Sequence, residues 1–496
     1  MQCIVIRKVM IFVAFLLSVI VIYLVDYLVS ALRYRRHGCI PGPFPLPVIG
    51  NLHLFGKYIH KDFMALSKEY GEVFAIYTGP KRKIVACGAK SMKEMLIEKG
   101  THFAGRPQEN YKLYLASMGF KDIIAEDYTP QLKYLRKLFT RGLNLHGLNK
   151  KLTKETISKH ADALIERLKE FSGKTLNPKD QVQLSIMNVI LHMVFGKEIG
   201  FEDPLFVKTC KATTLLFNGI KPGPEDIFFW LRYFPNKNIR EVKEGAALRD
   251  EITPQIIKEH RDTYTPGVIR DMTDAMLAAE AEELAIGGSR LDHSSFTMLI
   301  NETFMAGFET TSSTIMWMLM FLAKFPEKQT KLREELQQVE LGSLDDINPS
   351  VLPYTYAAIY EAQRLASVGA LVAHKATRDT SLCGLPVEKN TPVILNLYGV
   401  SHDENLFHKP NEYVPERWIN DDGEYQPDSC VLPFSAGPRT CPGRQLATMV
   451  LFTFITKLVR SISFQEVVGH ENNIDVEYGF TLSPKDVKLM TTKIEN

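Results

Sequence analysis

The chain has 496 residues, 45% hydrophobic and 23% charged, which is ordinary globular material and excludes both a disulfide-stapled miniature and a disordered tail. Its formal net charge of +2 gives no electrostatic reason to expect nucleic acid, which calls for a basic stripe. The 7 cysteines are scattered and contain no C-x-x-C, so neither a disulfide framework nor a zinc site is indicated, and a reducing compartment fits best.

Residues 1–32 read as a transmembrane anchor. Val9 to Val25 carries no charge, and beyond Asp26 the apolar character resumes as "YLVSAL", reaching the roughly 20 residues that a bilayer helix requires. The alternative is a cleaved signal peptide with Val29 and Ala31 at its cleavage site, but the apolar run exceeds the usual signal length. Arg7 and Lys8 precede the span while Arg33, Arg35 and Arg36 follow it, which modestly favours a cytosolic body.

Residues 33–49 are basic, then Pro-rich. Pro41, Pro43, Pro45 and Pro47 at alternate positions predict a stiff, extended hinge, although composition alone does not separate it from any other linker. Residues 50–496 are expected to form one mainly α body with minor β. "EVFAIYTGPKRKIVACG" predicts a hairpin around Gly79-Pro80, helix patterns dominate from Ala89 to Leu336, and strands return at "PVILNLYGV" and "YGFTLSP".

Within the apolar segment Phe296–Leu322, "FMAGFETTSST" places polar groups where a buried helix has little use for them. The plain explanation is back-bonding, with Thr310 reaching the Ala306 carbonyl and opening the helix. Gly307 weakens the helix further and admits a planar ligand. The functional explanation adds a hydroxyl at Thr310 and an acid at Glu309 that deliver protons to reduced dioxygen. Further on, Glu361 and Arg364 in "YEAQRL" are three apart on a helix; as an exposed pair they would contribute only about 0.2–0.5 kcal/mol.

The stretch "PFSAGPRTCPGR" surrounds Cys441 with residues suited to a metal-bound thiolate. A helix starting there, with Pro442 at its first position, would favour the thiolate through its dipole and free N–H groups. Gly437 and Gly443 have no side chain to hold the backbone off a planar ligand, Phe434 can shield the sulfur, and Arg439 offers a fork for a carboxylate. Together they fit an axial thiolate on haem iron.

"FSAGPRTCPG" resembles the haem-binding signature F-x-x-G-x-R-x-C-x-G of the cytochrome P-450 monooxygenases, matching at Phe434, Gly437, Arg439, Cys441 and Gly443. The anchor, the "PGP" hinge and the "YGFTLSPK" ending follow the family's order and look like a microsomal animal-type member. "KDIIAEDYTPQLKYLRKLF" and "DIFFWLRYFPNK" look most like the steroid 17-hydroxylase and aryl-hydrocarbon hydroxylase branch. The resemblance implies an α-rich triangular prism with small sheets, holding haem b (iron protoporphyrin IX). Ala306, Gly307, Glu309, Thr310 and Thr311 match the A-G-x-[DE]-T-[ST] motif, which implies that Thr310 is the proton-delivery alcohol and Glu309 its acid. Glu361 and Arg364, with Arg417 of "PERW", resemble the E-x-x-R network that assembles the haem pocket.

Arg106, Arg136 and His374 resemble positions that contact haem propionates. The chain departs from the pattern at Leu132, where the family usually has tryptophan, and His374 stands one residue early in a segment lacking the expected prolines. The basic run Lys133, Arg136, Lys137 and Arg141 is most simply a solvated helix face; on the thiolate side of the haem it would steer an acidic electron donor.

The resemblance therefore implies an endoplasmic-reticulum monooxygenase facing the cytosol. It would insert one oxygen atom of O2 into a small hydrophobic substrate (steroid, sterol or xenobiotic), with Phe304, Ala306, Thr310 and Ala370 in the pocket. No G-x-G-x-x-G follows a strand, so electrons from NADPH must come through a separate NADPH–cytochrome P450 reductase, with cytochrome b5 a second candidate donor. Membrane lipid is a further expected partner, and nucleic acid is not. The alternatives are a haem-thiolate isomerase or dehydratase, which needs no proton relay to dioxygen, and a non-enzymatic haem sensor, which would not consume NADPH.

Overall fold

The computed structural model describes residues 2–36, 40–146, 151–200, 202–287, 291–339, 348–470, 476–479 and 481–494. These residues cluster into two compact units, one running to Gly105 together with Leu371–Gly399, the other comprising Arg106–Ala370 and Val400–Asn496. Residues 50–105 fall in the first unit together with the N-terminal segment.

The first unit opens with helix α1 (Gln2–Arg36). Its stretch Ile6–Val29, 24 residues, is long and apolar enough to cross a membrane. Helix α2 (Ile59–Tyr70) then packs on a four-stranded sheet. The hairpin β1 (Val73–Thr78) and β2 (Lys81–Ala86) forms as expected, and Gly79 takes the positive φ of 61° that its turn demands. In the second unit, β3 (Thr175–Leu176) belongs to a separate sheet. In the first, β4 (Leu371–Lys375), β5 (Thr380–Leu382), β6 (Leu385–Val387) and β7 (Pro392–Asn396) follow. The sheet order is β1-β2-β7-β4, with only the β2–β7 pairing parallel. Phe63, Phe74, Ile76 and Val85 are its core.

The Pro-rich segment is bound rather than a free hinge. The Ala75 N–H donates to the Pro41 carbonyl at 2.7 Å. A Cβ on Gly42 would fall 2.0 Å from the Ala75 oxygen, so only glycine allows this approach. Asn51, fully buried, donates through its side-chain amide to the Phe44 carbonyl at 3.1 Å and accepts the Tyr77 N–H at 2.8 Å.

The second unit is mainly helical. Its longer helices are α3 (Pro130–His146), α4 (Lys151–Glu170), α5 (Lys179–Phe195), α6 (Pro204–Gly219), α7 (Lys237–Thr263), α8 (Met272–Ala285), α9 (His293–Lys324), α10 (Pro326–Gln337), α11 (Pro353–Ala366) and α12 (Arg444–Ser461). Strands β8 (Ile462–Glu466), β9 (Val476–Tyr478), β10 (Leu482–Pro484) and β11 (Leu489–Lys493) complete a β3-β11-β8 sheet and a β9-β10 pair.

The C-terminal part of helix α9, Ile315 to Ala323, is apolar all round and buried, which suits an element covered on every side. Asp292 caps its start by accepting the Ser295 N–H at 3.1 Å, and the indole of Trp317 donates to the Leu482 carbonyl at 2.9 Å, fastening the helix to β10. The expected opening near Gly307 does not occur, and the helix is continuous over 32 residues. Gly307 has another use here: a Cβ on it would point 3.2 Å from Ile190 Cδ1, so the missing side chain lets α9 approach α5.

Candidate functional site

The loop before α12 is shaped by its own backbone. Ser435 and Gly437 have φ of 57° and 67°, and the Cys441 N–H donates to the Phe434 carbonyl at 2.9 Å. This closes the loop over Phe434 and presents Cys441. The helix begins at Arg444 with Gly443 as its N-cap, so Pro442 lies in the turn before it and not at the first helical position. A Cβ on Gly443 would meet only Cys441 Sγ, at 3.9 Å, leaving open room beside the sulfur.

Cys441 is exposed by area yet strongly desolvated by surrounding protein. Burial raises the thiol's pKa; the N–H groups of Gly443 and Arg444 and the charge of Arg136 pull it down, while Glu302 adds to the rise. Burial wins, so the helix start alone does not make the expected thiolate. A metal cation bonded to sulfur would reverse that balance.

Three guanidinium groups gather around this loop. Arg136 of α3 donates through Nη2 to the Thr440 carbonyl at 2.8 Å. Arg439, buried, donates to the carbonyls of Ile123 at 3.2 Å and Glu126 at 2.6 Å. Arg106 donates through Nε to the Ile124 carbonyl at 3.0 Å. Burial lowers the pKa of Arg439 to about 10, with Arg136 adding to the fall. Burial lowers Arg106 to about 9, helped by Arg439 and Arg136. Such mutual repulsion among buried cations marks a place suited to a ligand with more than one negative charge. Leu132, in place of the usual tryptophan, is a core residue 1% exposed.

On α9, the Thr310 hydroxyl donates to the Ala306 carbonyl at 2.7 Å, the back-bond expected from the spacing. Ala306, Gly307, Glu309 and Thr310 are partly exposed, and Thr311 is buried. Burial raises the pKa of Glu309, opposed by Lys179 and reinforced by Glu477. The acid therefore holds its proton to higher pH than a free carboxyl.

The structure also brings Glu361, Arg364 and Arg417 together. Arg364 binds Glu361 in bidentate fashion, while Arg417 Nε at 2.9 Å, Trp418 Nε1 at 2.8 Å and the Val414 N–H at 3.0 Å also donate to the carboxylate. Arg364 further donates to the Pro410 carbonyl at 2.8 Å, tying α11 to the segment after it. This is a buried junction, unlike the exposed pair that the spacing alone allowed.

His374 belongs to the first unit. It is 2% exposed on β4, with Nδ1 bonded to the Phe103 carbonyl at 2.8 Å. The basic run on α3 is largely spent within the second unit: Lys137 pairs with Glu283, Arg141 with Glu282 and Glu283, and Lys133 lies 4.9 Å from the Tyr128 ring centre. Lys137 and Arg141 are thereby paired with acids, while Lys133 keeps its charge beside an aromatic ring. Phe304 borders a small space of about 20 Å³ with Phe195, Thr213, Thr253 and Met305, whereas Ala370 is buried elsewhere.

Two acids escaped the sequence analysis. Glu302, one turn before Ala306, accepts the N–H groups of Ile123 at 2.6 Å and Ile124 at 2.9 Å. Asp122 accepts the Ala125 N–H, and burial raises its pKa to about 6. An acid in the apolar run before "AGFET" was the available signal for Glu302; nothing in the sequence names its partners.

The family model described as Cytochrome P450 matches residues 40–491. Cytochrome P450 2B19 of Mus musculus is 30% identical over 465 residues, covering 90% of this chain and 92% of its own. Steroid 17-alpha-hydroxylase/17,20 lyase of Rana dybowskii is 30% identical over 475 residues, covering 92% and 91%. The protein of that name from Gallus gallus is 30% identical over 432 residues, covering 85% of each.

Proposed function

The chain belongs to the cytochrome P450 family and is a haem b monooxygenase, and from that premise we propose that Cys441 is the axial thiolate and that the substrate is a steroid, sterol or planar hydrophobe. The observation that supports the site is the open Sγ of Cys441 beside Gly443, with Arg106, Arg136 and Arg439 grouped near it. These residues fit the group: a thiol for iron, a gap where a Cβ would intrude, and cations for two carboxylates.

When bound, haem supplies the activation of dioxygen. The protein's part is to hold and move protons. Thr310 is fixed by donating to the Ala306 carbonyl, which leaves its oxygen lone pairs available to accept. Glu309 replaces the proton that Thr310 gives up, and its raised pKa keeps that proton available nearer neutral pH. Electrons come from NADPH through a separate reductase. Helix α1 anchors the enzyme in the endoplasmic-reticulum membrane with its catalytic part in the cytosol, which the apolar span Ile6–Val29 supports. The steroid assignment draws on the names of the frog and chicken relatives.

The test is the visible spectrum of reduced protein under carbon monoxide, wild type against Cys441→Ser, followed by a steroid screen with NADPH and reductase. A strongly red-shifted Soret band in wild type alone is expected. An unshifted band in both proteins would remove Cys441 as the ligand.

A further inference from the structure

The loop from Asp122 to Asp127 is gripped on both sides of its backbone. Glu302 takes the amide N–H groups of Ile123 and Ile124. Arg439 takes the carbonyls of Ile123 and Glu126, and Arg106 takes that of Ile124. The Arg106 N–H itself donates to Asp127 Oδ1 at 3.0 Å, so the loop holds Arg106 by its main chain as well. One peptide stretch thus connects α9 with the cysteine loop.

We propose that Glu302 is a positioning residue for the haem carboxylates: by fixing the 122–127 loop through two amides, it sets the carbonyls that aim Arg439 and Arg106. This rests on the haem-thiolate assignment above. Two features of the geometry support it. The Glu302 carboxyl is occupied by backbone N–H groups, so its hydrogen bonds go to the loop. In addition, the loop carbonyls orient each guanidinium plane, and a planar fork pre-set in direction loses less freedom when it binds a carboxylate. Glu302 is partly buried between α9 and the loop, and each of its carboxyl oxygens accepts one backbone N–H.

The experiment uses the full-length holoenzyme and Glu302→Gln, with hydrogen exchange over residues 122–127 and the propionate bending band in the resonance Raman spectrum as readouts. Glutamine keeps the size of the side chain but has one acceptor oxygen for two amides. Exchange in the loop is expected to accelerate at least tenfold, and the propionate band to shift, while the red-shifted carbon monoxide band persists. Unchanged exchange overturns the clamp. Faster exchange with an unmoved propionate band also overturns the proposal, because the loop then does not aim the arginines. If Glu302→Gln does not accumulate, Glu302→Asp, which draws the carboxylate back by one methylene, is judged by the same outcomes. Loss of the red-shifted band in wild type would instead strike the haem-thiolate assignment, so the two failures are distinguishable.

Discussion

The guanidinium of Arg364 and the carboxylate of Glu361 meet through two bonds of 2.8 Å, with neither side chain exposed. Removing one partner leaves the other charge buried without its match. Arg364→Ala is therefore expected to lose about 3–5 kcal/mol of stability, and Arg364→Lys to recover little of it, because an ammonium cannot reproduce the fork. Urea unfolding of the holoenzyme measures both. A loss below 1 kcal/mol for the alanine variant would show that the junction relaxes.

Thr310→Val keeps the volume of the side chain and removes the hydroxyl that bonds Ala306. If Thr310 delivers protons, product formed per NADPH consumed falls by about tenfold or more, with the balance appearing as hydrogen peroxide, while substrate binding changes little. Equal coupling in the two proteins would leave Thr310 only its role in the helix.

The folded pKa of Glu309 is raised, chiefly by burial. The native state then binds its proton more tightly than the unfolded chain, so this group's contribution to stability falls as pH rises above the ordinary carboxylate value. Glu309→Gln is expected to gain on wild type at neutral pH and to match it at acid pH. Unfolding midpoints at pH 4.5 and 7.5 (about the ordinary carboxylate pKa and well above it) decide the sign, and a gain confined to acid pH would contradict the burial argument.

In His260 on α7 the pKa is also raised, but there it is the charged form that the surroundings favour. Its Nδ1 bonds the Ile256 carbonyl at 2.8 Å and its Nε2 the Asp271 carboxylate at 2.7 Å. Both partners offer acceptor oxygens, an arrangement that favours the doubly protonated ring. Burial lowers its pKa, but Asp271 and the carbonyl outweigh burial and raise it overall. The stabilisation is complete below the ordinary histidine pKa and is lost as pH rises through the raised one. His260→Gln should therefore cost more stability near pH 6 than near pH 9 (about either side of the histidine range), as followed by urea unfolding; an equal cost at both would exclude the charged ring. Asp274 also faces this group and adds to the rise.

The Thr213 hydroxyl is buried with no hydrogen-bond partner among the described residues, and it borders the small space beside Phe304. A space of about 20 Å³ holds roughly one water. If no water resides there, Thr213→Val should stabilise the enzyme by about 1 kcal/mol, the penalty of an unmet hydroxyl. A loss of stability would show that the hydroxyl is satisfied by water.

What was legible in the sequence was local. The Gly79 turn, the back-bond of Thr310 and the folded cysteine loop each depend on residues within a few positions of one another. Partners distant in sequence were hidden. Nothing in "LKYLRKLF" announces that Lys137 and Arg141 are neutralised by acids on α8, nor does the acid at Glu302 reveal that it will grasp Ile123 and Ile124. The late start of α12 has a local cause that spacing missed: Gly443, not Cys441, occupies the cap, so Pro442 belongs to the turn.

The proline segment that lies along β1 has a bearing on solubility. Strand β1 is an outer strand of its sheet, and the amides of Ala75 and Tyr77, which would otherwise invite another chain, are taken by Pro41 and Asn51. Prolines cannot donate to a further strand, so the cover ends the sheet and does not extend it. An anchorless enzyme retaining Pro41–Asn51 should remain dispersed, whereas one trimmed to begin after Asn51 would bare a template for edge-to-edge aggregation.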